Sequence, residues 1–389
     1  MNTNVTTSTE LIEPRLAYIY ERKVKNRVLG PYTPKTDAEV YQGLSNLFKA
    51  EGLENIKLND VKRMAGGASK EQFSFLLSHS KNPQEARYVL RMDPLEGIVE
   101  TCRLREAELL ITLCKYLPVP SVLAIDAEGT HLGRPGVITS FISGVTAPSA
   151  ESEKGVSGVG ISYGSFAERL APQFVKYLVA IHSKNDWDKH SLPSFVIPKA
   201  ETKEAPIYQI NYWMKAWELD KVEPVPMITF TANWLRKHAP VCASPCLIHA
   251  DYRIGNFLFD ETSAEITTIL DWELAHFGDF HEDIAWLMHR FFGSVNEAGE
   301  FLVCCLLTRQ DFIERYEQLS NRKINLQTLK YYEVMNAWKC ALMGLSSAIM
   351  AAKNGNNHQD VLITWLGSAS SIHLSNMMQS IRAYEAGEL

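Results

Sequence analysis

The sequence predicts an α+β protein with two lobes, a small β-rich lobe followed by a larger helical lobe. Short apolar runs of strand-like composition dominate from residue 56 to residue 143. From Tyr163 onward, most apolar residues recur at the spacing of helices. The Ser143-Gly144 pair separates the two patterns, because Gly interrupts regular structure. We therefore assign residues 56–143 to the small lobe and residues 144–389 to the large lobe.

Residues 1–55 precede both lobes and are predicted to form a helical extension. Apolar residues at 11–20 indicate one amphipathic helix, which Pro14 interrupts. Apolar residues at 40–48 indicate a second helix, which ends at Gly52. Two roles remain open for this extension: it covers the small lobe, or it contributes the contact of a homodimer.

The small lobe is predicted to contain four strands and one long helix. The helix runs from about residue 98 to residue 117, where Pro118 ends it. The strands are predicted at 72–77, 87–92, 121–125 and 136–142.

The large lobe is predicted to be mainly helical. Residues 147–165 are rich in Gly and Ser and are predicted to form a mobile loop. Helices are predicted at 166–182, 208–217, 230–237, 301–319, 326–351 and 359–384, with a strand pair between the third and the fourth.

The composition excludes several classes of protein. With 389 residues, 46% of them hydrophobic, the chain can bury a large core. Its net charge of −6 argues against nucleic acid as a partner. Seven cysteines follow neither a disulfide framework nor a zinc-finger spacing, which favours a reducing compartment. Because the first residues lack an apolar signal core and no apolar run could cross a bilayer, we expect a cytoplasmic protein with no membrane contact.

Three polar residues stand at fixed intervals in the middle of the chain. Asp251 follows an apolar pair, Asn256 comes five residues later, and Asp271 ends the next apolar run. Each residue taken singly could be a turn residue. Together they form the layout of a phosphoryl-transfer site, in which one carboxylate accepts a hydroxyl proton while an amide and a second carboxylate hold magnesium. We therefore predict Asp251 as the catalytic base and Asn256 and Asp271 as metal ligands.

Neighbouring residues are assigned supporting roles. Arg253 is predicted to be catalytic, because a cation there would neutralise charge on the transferred phosphoryl group; the alternative is a surface arginine. His249 is predicted to support the loop through hydrogen bonds. Asp279 and Asp283 are predicted to cap a helix and anchor the loop. For Glu273 two roles remain open: a contact with metal or substrate, or a salt bridge.

The small lobe carries candidate phosphate-binding residues. Gly66 and Gly67, with Ser69 beside them, precede a strand, and glycines let a backbone approach phosphates closely. Arg91 ends the next strand and Glu106 lies on the following helix. Such a pair orients the α- and β-phosphates in kinases, although an ordinary ion pair is the alternative.

The segment His249-Ala250-Asp251, with Asn256 and Asp271-Trp272, resembles the catalytic stretch of the aminoglycoside phosphotransferase/choline kinase family. Weaker agreement extends from about residue 60 to residue 351. Within the family, the chain is most similar to the phosphotransferase domain attached to some acyl-CoA dehydrogenases. The resemblance implies a bilobal protein-kinase-like fold in which 56–143 binds the nucleotide and 144–389 carries the catalytic and acceptor sites.

The same resemblance implies ATP and Mg²⁺ as cofactors and a small hydroxylated molecule as acceptor, with 4-hydroxyacyl-CoA a candidate. It also implies that Ser140 and Ile142, in the hinge between the lobes, contact the nucleotide. Two positions depart from the family pattern. Ala250 stands where the family has Gly, a small change if its φ angle is negative. Arg91 stands where protein kinases have Lys, so that Lys62, Arg63 or Lys70 could share its task.

Other functions remain as alternatives. An antibiotic phosphotransferase, for aminoglycosides or macrolides, would need an acidic pocket, whereas a coenzyme A thioester would need a basic entrance, with Lys184, Arg290 and Arg309 as candidates. A non-catalytic nucleotide-binding module and a protein kinase are weaker alternatives. Six aromatic residues are candidates to line the acceptor pocket: Tyr212, Trp213, Trp217, Tyr331, Tyr332 and Trp338.

Overall fold

A five-stranded antiparallel sheet forms the framework of the small lobe. The computed structural model describes residues 11–64, 69–149, 161–184, 187, 190–358, 361, 364 and 367–388. The strand order is β1-β2-β3-β5-β4. The strands are β1 (Lys57–Arg63), β2 (Glu71–His79), β3 (Asn82–Met92), β4 (Val122–Asp126) and β5 (Gly136–Ser140).

The four strands predicted for this lobe are confirmed, and β1 is an additional strand. Its sequence is mostly polar, and among its seven residues only Leu58 is buried. Strand β1 is at the edge of the sheet, where one side of the strand pairs with β2 and the other has no strand neighbour. An edge strand therefore carries little of the apolar pattern from which strands are predicted.

The second helix of the extension packs into the core of the small lobe. Helix α2 (Asp37–Ala50) begins at Thr36, whose side chain and that of Glu39 form a reciprocal capping box. Its buried face includes Leu44 and Phe48, which belong to the same apolar cluster as Phe75 of β2. The predicted end at Gly52 is confirmed by a positive φ of 70°.

The first helix of the extension contacts both lobes. Helix α1 (Pro14–Asn26) begins at Pro14, so the expectation that Pro14 interrupts it was wrong: proline fits the first turn, which needs no N–H donor. Toward the small lobe, Arg15 binds Glu128 at 2.6 Å. Toward the large lobe, the buried Lys23 binds the buried Asp220 at 2.6 Å. The extension therefore covers more than the small lobe; whether the chain dimerises stays a prediction.

The helix of the small lobe is shorter than predicted. Helix α3 (Arg103–Leu113) begins after Cys102, whose backbone is extended. The apolar residues on both sides of it continue the hydrophobic pattern but not the helix.

The large lobe consists of helices with two short strand pairs and one small three-stranded sheet. The helices are α4 (Ala167–Ser183), α5 (Glu204–Asp220), α6 (Pro226–His238), α7 (His281–Leu287), α8 (Arg309–Ser320), α9 (Leu326–Met343), α10 (Ile349–Asn354) and α11 (Ser370–Ala386). Strand β6 (Cys246–Ile248) pairs with β9 (His276–Gly278), and β7 (Phe257–Asp260) pairs with β8 (Glu265–Ile269). No helix among these described residues is long and apolar enough to span a bilayer.

Two predicted helices of this lobe differ from the structure. The helix expected from residue 301 begins at Arg309, because Phe301–Val303 instead pairs between two-residue strands, Ser294–Val295 and Leu307–Thr308. Thr308 caps the helix by accepting the Asp311 N–H. The helix expected at 326–351 contains a π-type turn at Gly344–Ala348. Parts of the predicted segments 147–165 and 359–384 lie outside the described residues.

The buried ion pair of α1 leads to a prediction about stability. Asp220 accepts hydrogen bonds from Lys23, Arg27 and Ser347. Asp220→Ala leaves two cations without their nearest carboxylate, and we expect it to lower the free energy of unfolding by about 3 kcal/mol. Chemical denaturation measures this change.

The matched control is Glu218→Ala on the same helix. Glu218 forms an exposed pair with Lys221, and such pairs contribute less than about 1 kcal/mol. Equal effects of the two substitutions would contradict the view that the buried pair anchors α1.

Candidate active site

The linker between the lobes, at Gly144 and Val145, is hydrogen-bonded to the β7–β8 hairpin. Val145 and Phe259 exchange backbone hydrogen bonds of 3.0 Å in both directions. Gly144 has a φ of 146°, and a Cβ atom there would lie 3.1 Å from the Phe259 carbonyl oxygen. Only glycine fits this close approach without strain. The small lobe is thereby connected directly to strand β7.

A buried carboxylate shapes the loop that follows β6. Asp283, at 0% exposure, accepts the backbone N–H of His249 at 2.8 Å and that of Ala250 at 2.7 Å. The His182 ring lies 3.1 Å from the same carboxylate. These hydrogen bonds show that Asp283 anchors the loop, as the sequence indicated.

His249 supports the loop from within. Its Nε2 faces the Leu270 carbonyl oxygen at 3.0 Å, and its Nδ1 accepts the Asp251 N–H at 3.2 Å. A carbonyl only accepts, so Nε2 carries the proton and the ring is neutral. Burial lowers the pKa of His249, which favours this form. The ring also packs on Trp272, with 4.4 Å between centroids.

Asp251 is held by three side-chain donors. Arg253 Nε and Trp286 Nε1 donate to its Oδ1 at 2.7 and 2.8 Å, and Asn256 Nδ2 donates to its Oδ2 at 2.6 Å. Burial raises the pKa of Asp251, and the adjacent Arg253 opposes that effect. Arg253 is not a surface residue: its guanidinium is largely buried and lies 5.0 Å from the centre of the Phe292 ring.

The β7–β8 hairpin brings Asn256 and Asp271 together. The Leu270 N–H donates to the backbone carbonyl oxygen of Asn256 at 2.8 Å. Asn256 and Asp271 therefore lie at adjacent strand ends. Asp271 has a φ of 65°, a strained conformation for a residue with a side chain. Arg91 of β3 donates to Asp271 Oδ1 at 2.6 Å. An arginine of the small lobe thus contacts the Asp271 carboxylate.

The donor set fits magnesium. The Asp271 side chain is 29% exposed. The side-chain amide nitrogen of Asn256 points to Asp251, so the side-chain oxygen Oδ1 lies on the other side of that amide. Both are hard oxygen ligands. Within the described ranges, no group of three or more His, Cys, Asp or Glu could hold a metal. A metal here would take its other ligands from phosphates and water, as Mg²⁺ does.

Arg91 lies between two carboxylates. It donates to Glu106 at 2.5 Å in addition to Asp271, so the predicted pairing of Arg91 with Glu106 is confirmed. Its Nε atom is buried and has no hydrogen-bond partner among the described residues. A buried donor without a partner is costly, and a phosphate oxygen would satisfy it.

Further charges surround this pair. Glu273 lies 3.0 Å from Arg103 and 3.7 Å from Lys70. Although burial alone would raise the pKa of Glu273, these cations and Arg91 lower it to about 2. Of the two roles left open for Glu273, the structure therefore shows the salt bridge. Of the three cations that could share the task of Arg91, Lys70 lies in the cleft, whereas Lys62 is exposed and Arg63 pairs with Glu71.

The remaining nucleotide-binding assignments stay predictions. Gly66 and Gly67 lie outside the described residues. Ser69 is half-buried beside Glu273. Ser140 ends β5, where its hydroxyl accepts the Ser121 N–H at 3.0 Å, and Ile142 is half-buried in the linker. The catalytic and metal-binding roles of Asp251, Arg253, Asn256 and Asp271 likewise stay predictions.

A pocket of about 520 Å³, including its open mouth, borders the loop of Asp251. Ala250 and Trp286 form its wall beside the carboxylate, and Leu16 of α1 contributes from the extension. Two of the six candidate aromatic residues, Tyr212 and Trp213, line it, while the others belong to the core. The remaining lining residues are Glu100, Arg105, Gln209, Glu273, Leu274, Ala275, His276, Lys339 and Met343.

Trp286 and Arg103 belong to the site although their sequence positions predicted no role for them. Trp286 stands in the helix that contains Asp283, and its separation from Asp251 by 35 positions conceals their hydrogen bond. Arg103 precedes Glu106 by one helical turn and pairs with it, a spacing that could have been noticed.

The sequence model of the phosphotransferase enzyme family matches residues 60–303 of this chain. Over 210 residues the chain is 27% identical to acyl-CoA dehydrogenase family member 10 of Mus musculus. The aligned region covers 52% of this chain but only 18% of that protein. A crystal structure from Ralstonia eutropha, assigned to the aminoglycoside phosphotransferases, superposes with a TM-score of 0.61 at 20% identity and covers 88% of this chain and 98% of that one. An ethanolamine kinase of Plasmodium vivax superposes with a TM-score of 0.54 at 13% identity, covering 87% of each chain. These superpositions confirm the predicted bilobal, protein-kinase-like fold.

The departure at Ala250 is larger than expected. Its φ angle is 66°, so the condition for a small change, a negative φ, is not met. In this left-handed region, a side chain costs about 1–2 kcal/mol. The two hydrogen bonds to Asp283 hold the backbone in place in spite of that cost.

Ala250→Gly is therefore expected to stabilise the protein. Relief of strain exceeds the greater chain entropy of Gly in the unfolded state, so the free energy of unfolding should rise by about 0.5 kcal/mol. Ala50→Gly at the exposed end of α2 should lower it by about 0.5–1 kcal/mol. Thermal denaturation distinguishes the two directions, and destabilisation by both substitutions would show that Ala250 is not strained.

Proposed function

We propose that this chain, which belongs to the phosphotransferase enzyme family, transfers the γ-phosphate of ATP to a hydroxyl group of a small molecule. The observation that carries the proposal is the position of Asp251 beside two residues that line a pocket, its chain neighbour Ala250 and its hydrogen-bond donor Trp286. Asp271 is close enough to raise the pKa of Asp251. Three hydrogen-bond donors fix its orientation. A fixed carboxylate beside an acceptor pocket is suited to accept a hydroxyl proton.

In the proposed reaction, Asp251 takes the proton of the acceptor hydroxyl as the hydroxyl oxygen bonds to the γ-phosphorus. The bond between that phosphorus and the bridging oxygen breaks, and ADP leaves. Arg91, whose guanidinium reaches Asp271 from the small lobe, would bind phosphate oxygens beside it. Mg²⁺, when bound at Asn256 and Asp271, would neutralise phosphate charge. Arg253 keeps Asp251 ionised and oriented.

We infer that 4-hydroxyacyl-CoA is the candidate acceptor, on the basis of similarity to part of a protein named as an acyl-CoA dehydrogenase. An antibiotic remains the alternative. None of Lys184, Arg290 and Arg309, the proposed basic entrance, is among the residues lining the pocket. A charged coenzyme portion would therefore lie outside the pocket, with only the hydroxylated chain inside.

The test is release of ADP in the presence of Mg²⁺, ATP and a panel of hydroxyacyl thioesters, aminoglycosides and macrolides. Asp251→Asn should lower kcat about 10²–10⁴-fold, since it removes the proton acceptor. The control Glu265→Gln, at an exposed position of the neighbouring β7–β8 hairpin, should retain full activity. A thermal shift with Mg²⁺ and ATP should persist in Asp251→Asn; full turnover by that variant would refute the assignment of the base.

The pH dependence of kcat/KM provides a second prediction. Only ionised Asp251 accepts a proton, so kcat/KM should fall as pH decreases through its pKa. Burial raises the pKa of Asp251, the charge of Arg253 lowers it, and the charge of Asp271 raises it further. Because Arg253→Gln removes a lowering contribution, it should move the acidic limb of the profile to higher pH.

Arg253→Lys is the control, since it retains the charge. Its acidic limb should lie between those of the wild type and of Arg253→Gln. An acidic limb at the same pH in all three proteins would mean that Asp251 is not the titrating base.

A further inference from the structure

One face of helix α1 follows the wall of the acceptor pocket. Positions 13, 16, 20 and 23 are three or four residues apart, so their side chains lie on one side of the helix and its N-cap. Leu16 lines the pocket, and its half-buried side chain also packs against the apolar core of the large lobe. Leu16 precedes residues 60–303, the region that the family model matches, so the helix is an addition to that region.

The other residues of this face contact further residues that line the pocket. Glu13 accepts hydrogen bonds of 2.5 and 3.1 Å from two nitrogens of Arg105. The Tyr20 ring lies 5.4 Å from the Tyr212 ring, and the Tyr20 hydroxyl donates to the Tyr212 carbonyl oxygen at 3.3 Å. Arg105 and Tyr212 both line the pocket. Helix α1 therefore contacts the pocket wall before and after Leu16.

Buried ion pairs fix the helix on both sides of Leu16. Glu13 and Arg105 are buried at its start. Near its end the buried Lys23 lies 3.3 Å from Glu100 and 2.6 Å from Asp220. Movement of the helix away from the pocket would leave these buried charges without partners, which is costly. The helix is therefore a fixed wall of the pocket and not a lid.

The same ion pairs determine what a ligand meets next to Leu16. Arg105 and Glu100 line the pocket, but Glu13 and Lys23 of this helix face already bind them. The Leu16 side chain has only apolar atoms. A polar ligand group placed against it would lose water without gaining a hydrogen bond, whereas burial of an alkyl group there is favourable. The side of the pocket formed by α1 therefore favours an alkyl segment.

We propose that helix α1 is the specificity wall of the acceptor pocket and that Leu16 selects acceptors by the size of an alkyl segment. The inference rests on the proposed function, because the hydroxyl of that acceptor would lie near Asp251, beside Ala250 and Trp286. It assigns acceptor recognition to the N-terminal extension, and it names a specificity-determining residue that lies outside the region matched by the family.

Two probes that differ only in their alkyl segment test the inference. They are the N-acetylcysteamine thioesters of 4-hydroxypentanoic acid, with a methyl group beyond the hydroxyl carbon, and of 4-hydroxynonanoic acid, with a pentyl group there. Calorimetry in the absence of nucleotide gives the dissociation constant of each probe. The quantity compared between proteins is the ratio of the two constants, since overall losses of affinity cancel in it.

Leu16→Ala enlarges the pocket at this wall, and Leu16→Phe narrows it. Relative to the wild type, Leu16→Ala should shift the ratio about tenfold in favour of the nonanoic thioester. Leu16→Phe should shift it about tenfold in favour of the pentanoic thioester, because apolar pockets discriminate by this order for small differences in size. A general loosening of the fold would not produce shifts in opposite directions.

Val24→Ala and Val24→Phe are the matched controls. Val24 lies on the same helix, is 44% exposed, and is not among the residues that line the pocket in the described part of the chain. Both control variants should give the wild-type ratio. A ratio that is unchanged in both Leu16 variants, or that moves in the same direction in both, overturns the inference.

Alkylation of an introduced thiol shows directly whether the ligand contacts this wall. Leu16→Cys places a thiol at the pocket, and peptide mass spectrometry measures its rate of reaction with iodoacetamide. A saturating concentration of the nonanoic thioester should slow this reaction about tenfold or more. The thiol introduced by Val24→Cys should react at the same rate with and without the probe. Absence of protection in Leu16→Cys contradicts the inference, whatever the two ratios are.

Failure of the inference differs from failure of the proposed function. If neither thioester binds, the inference is overturned, because it commits the pocket to an alkyl segment. If ADP release with another acceptor still depends on Asp251 in that case, the proposed function stands. If binding follows Leu16 but Asp251→Asn changes no turnover, the recognition site stands and the proposed reaction fails.

Discussion

The carboxylate of Asp283 is the constraint on which the site depends. It accepts the backbone N–H groups of His249 and Ala250 in a fully buried position. A buried carboxylate needs such donors, and two consecutive N–H groups pointing at one carboxylate require a sharp bend in the chain. The bend places Ala250, which lines the pocket, in a left-handed conformation directly before Asp251. The backbone conformation of Ala250 therefore determines how the next residue, the proposed base Asp251, is oriented.

Local strain and buried charge occur together at this site. Ala250 and Asp271 both have positive φ angles, and each lies at the end of an apolar strand or next to it. Such conformations persist only where surrounding contacts hold them, here the bonds to Asp283 and to Arg91. Arg91 links the two lobes at Asp271, as Lys23 of α1 links them at Asp220 and Glu100. Ion pairs thus join the two lobes at Asp271 and at helix α1.

Much of the fold followed from apolar periodicity. The four strands of the small lobe and helices such as α4 repeat apolar residues at the spacing of a strand or a helix, so burial of one face is visible in the sequence. The polar edge strand β1 was missed because one of its seven residues is buried. The helix start at Arg309 was misplaced because the pairing of Phe301–Val303 is a tertiary contact. Patterns of burial predict elements, but they do not say which partner covers an element.

The sequence by itself determined the chemistry available at the site: Asp251, Asn256 and Asp271 stand at intervals that a strand–loop–hairpin brings together, since short segments allow few arrangements. Only the tertiary structure decided what surrounds them. Three contacts join residues that are far apart in the chain. Trp286 donates a hydrogen bond to Asp251, and Glu273 pairs with Lys70 and Arg103. Helix α1 contributes Leu16 to the pocket wall. No local pattern encodes these contacts, because side chains distant in sequence meet only after the lobes have packed and water has been excluded between them.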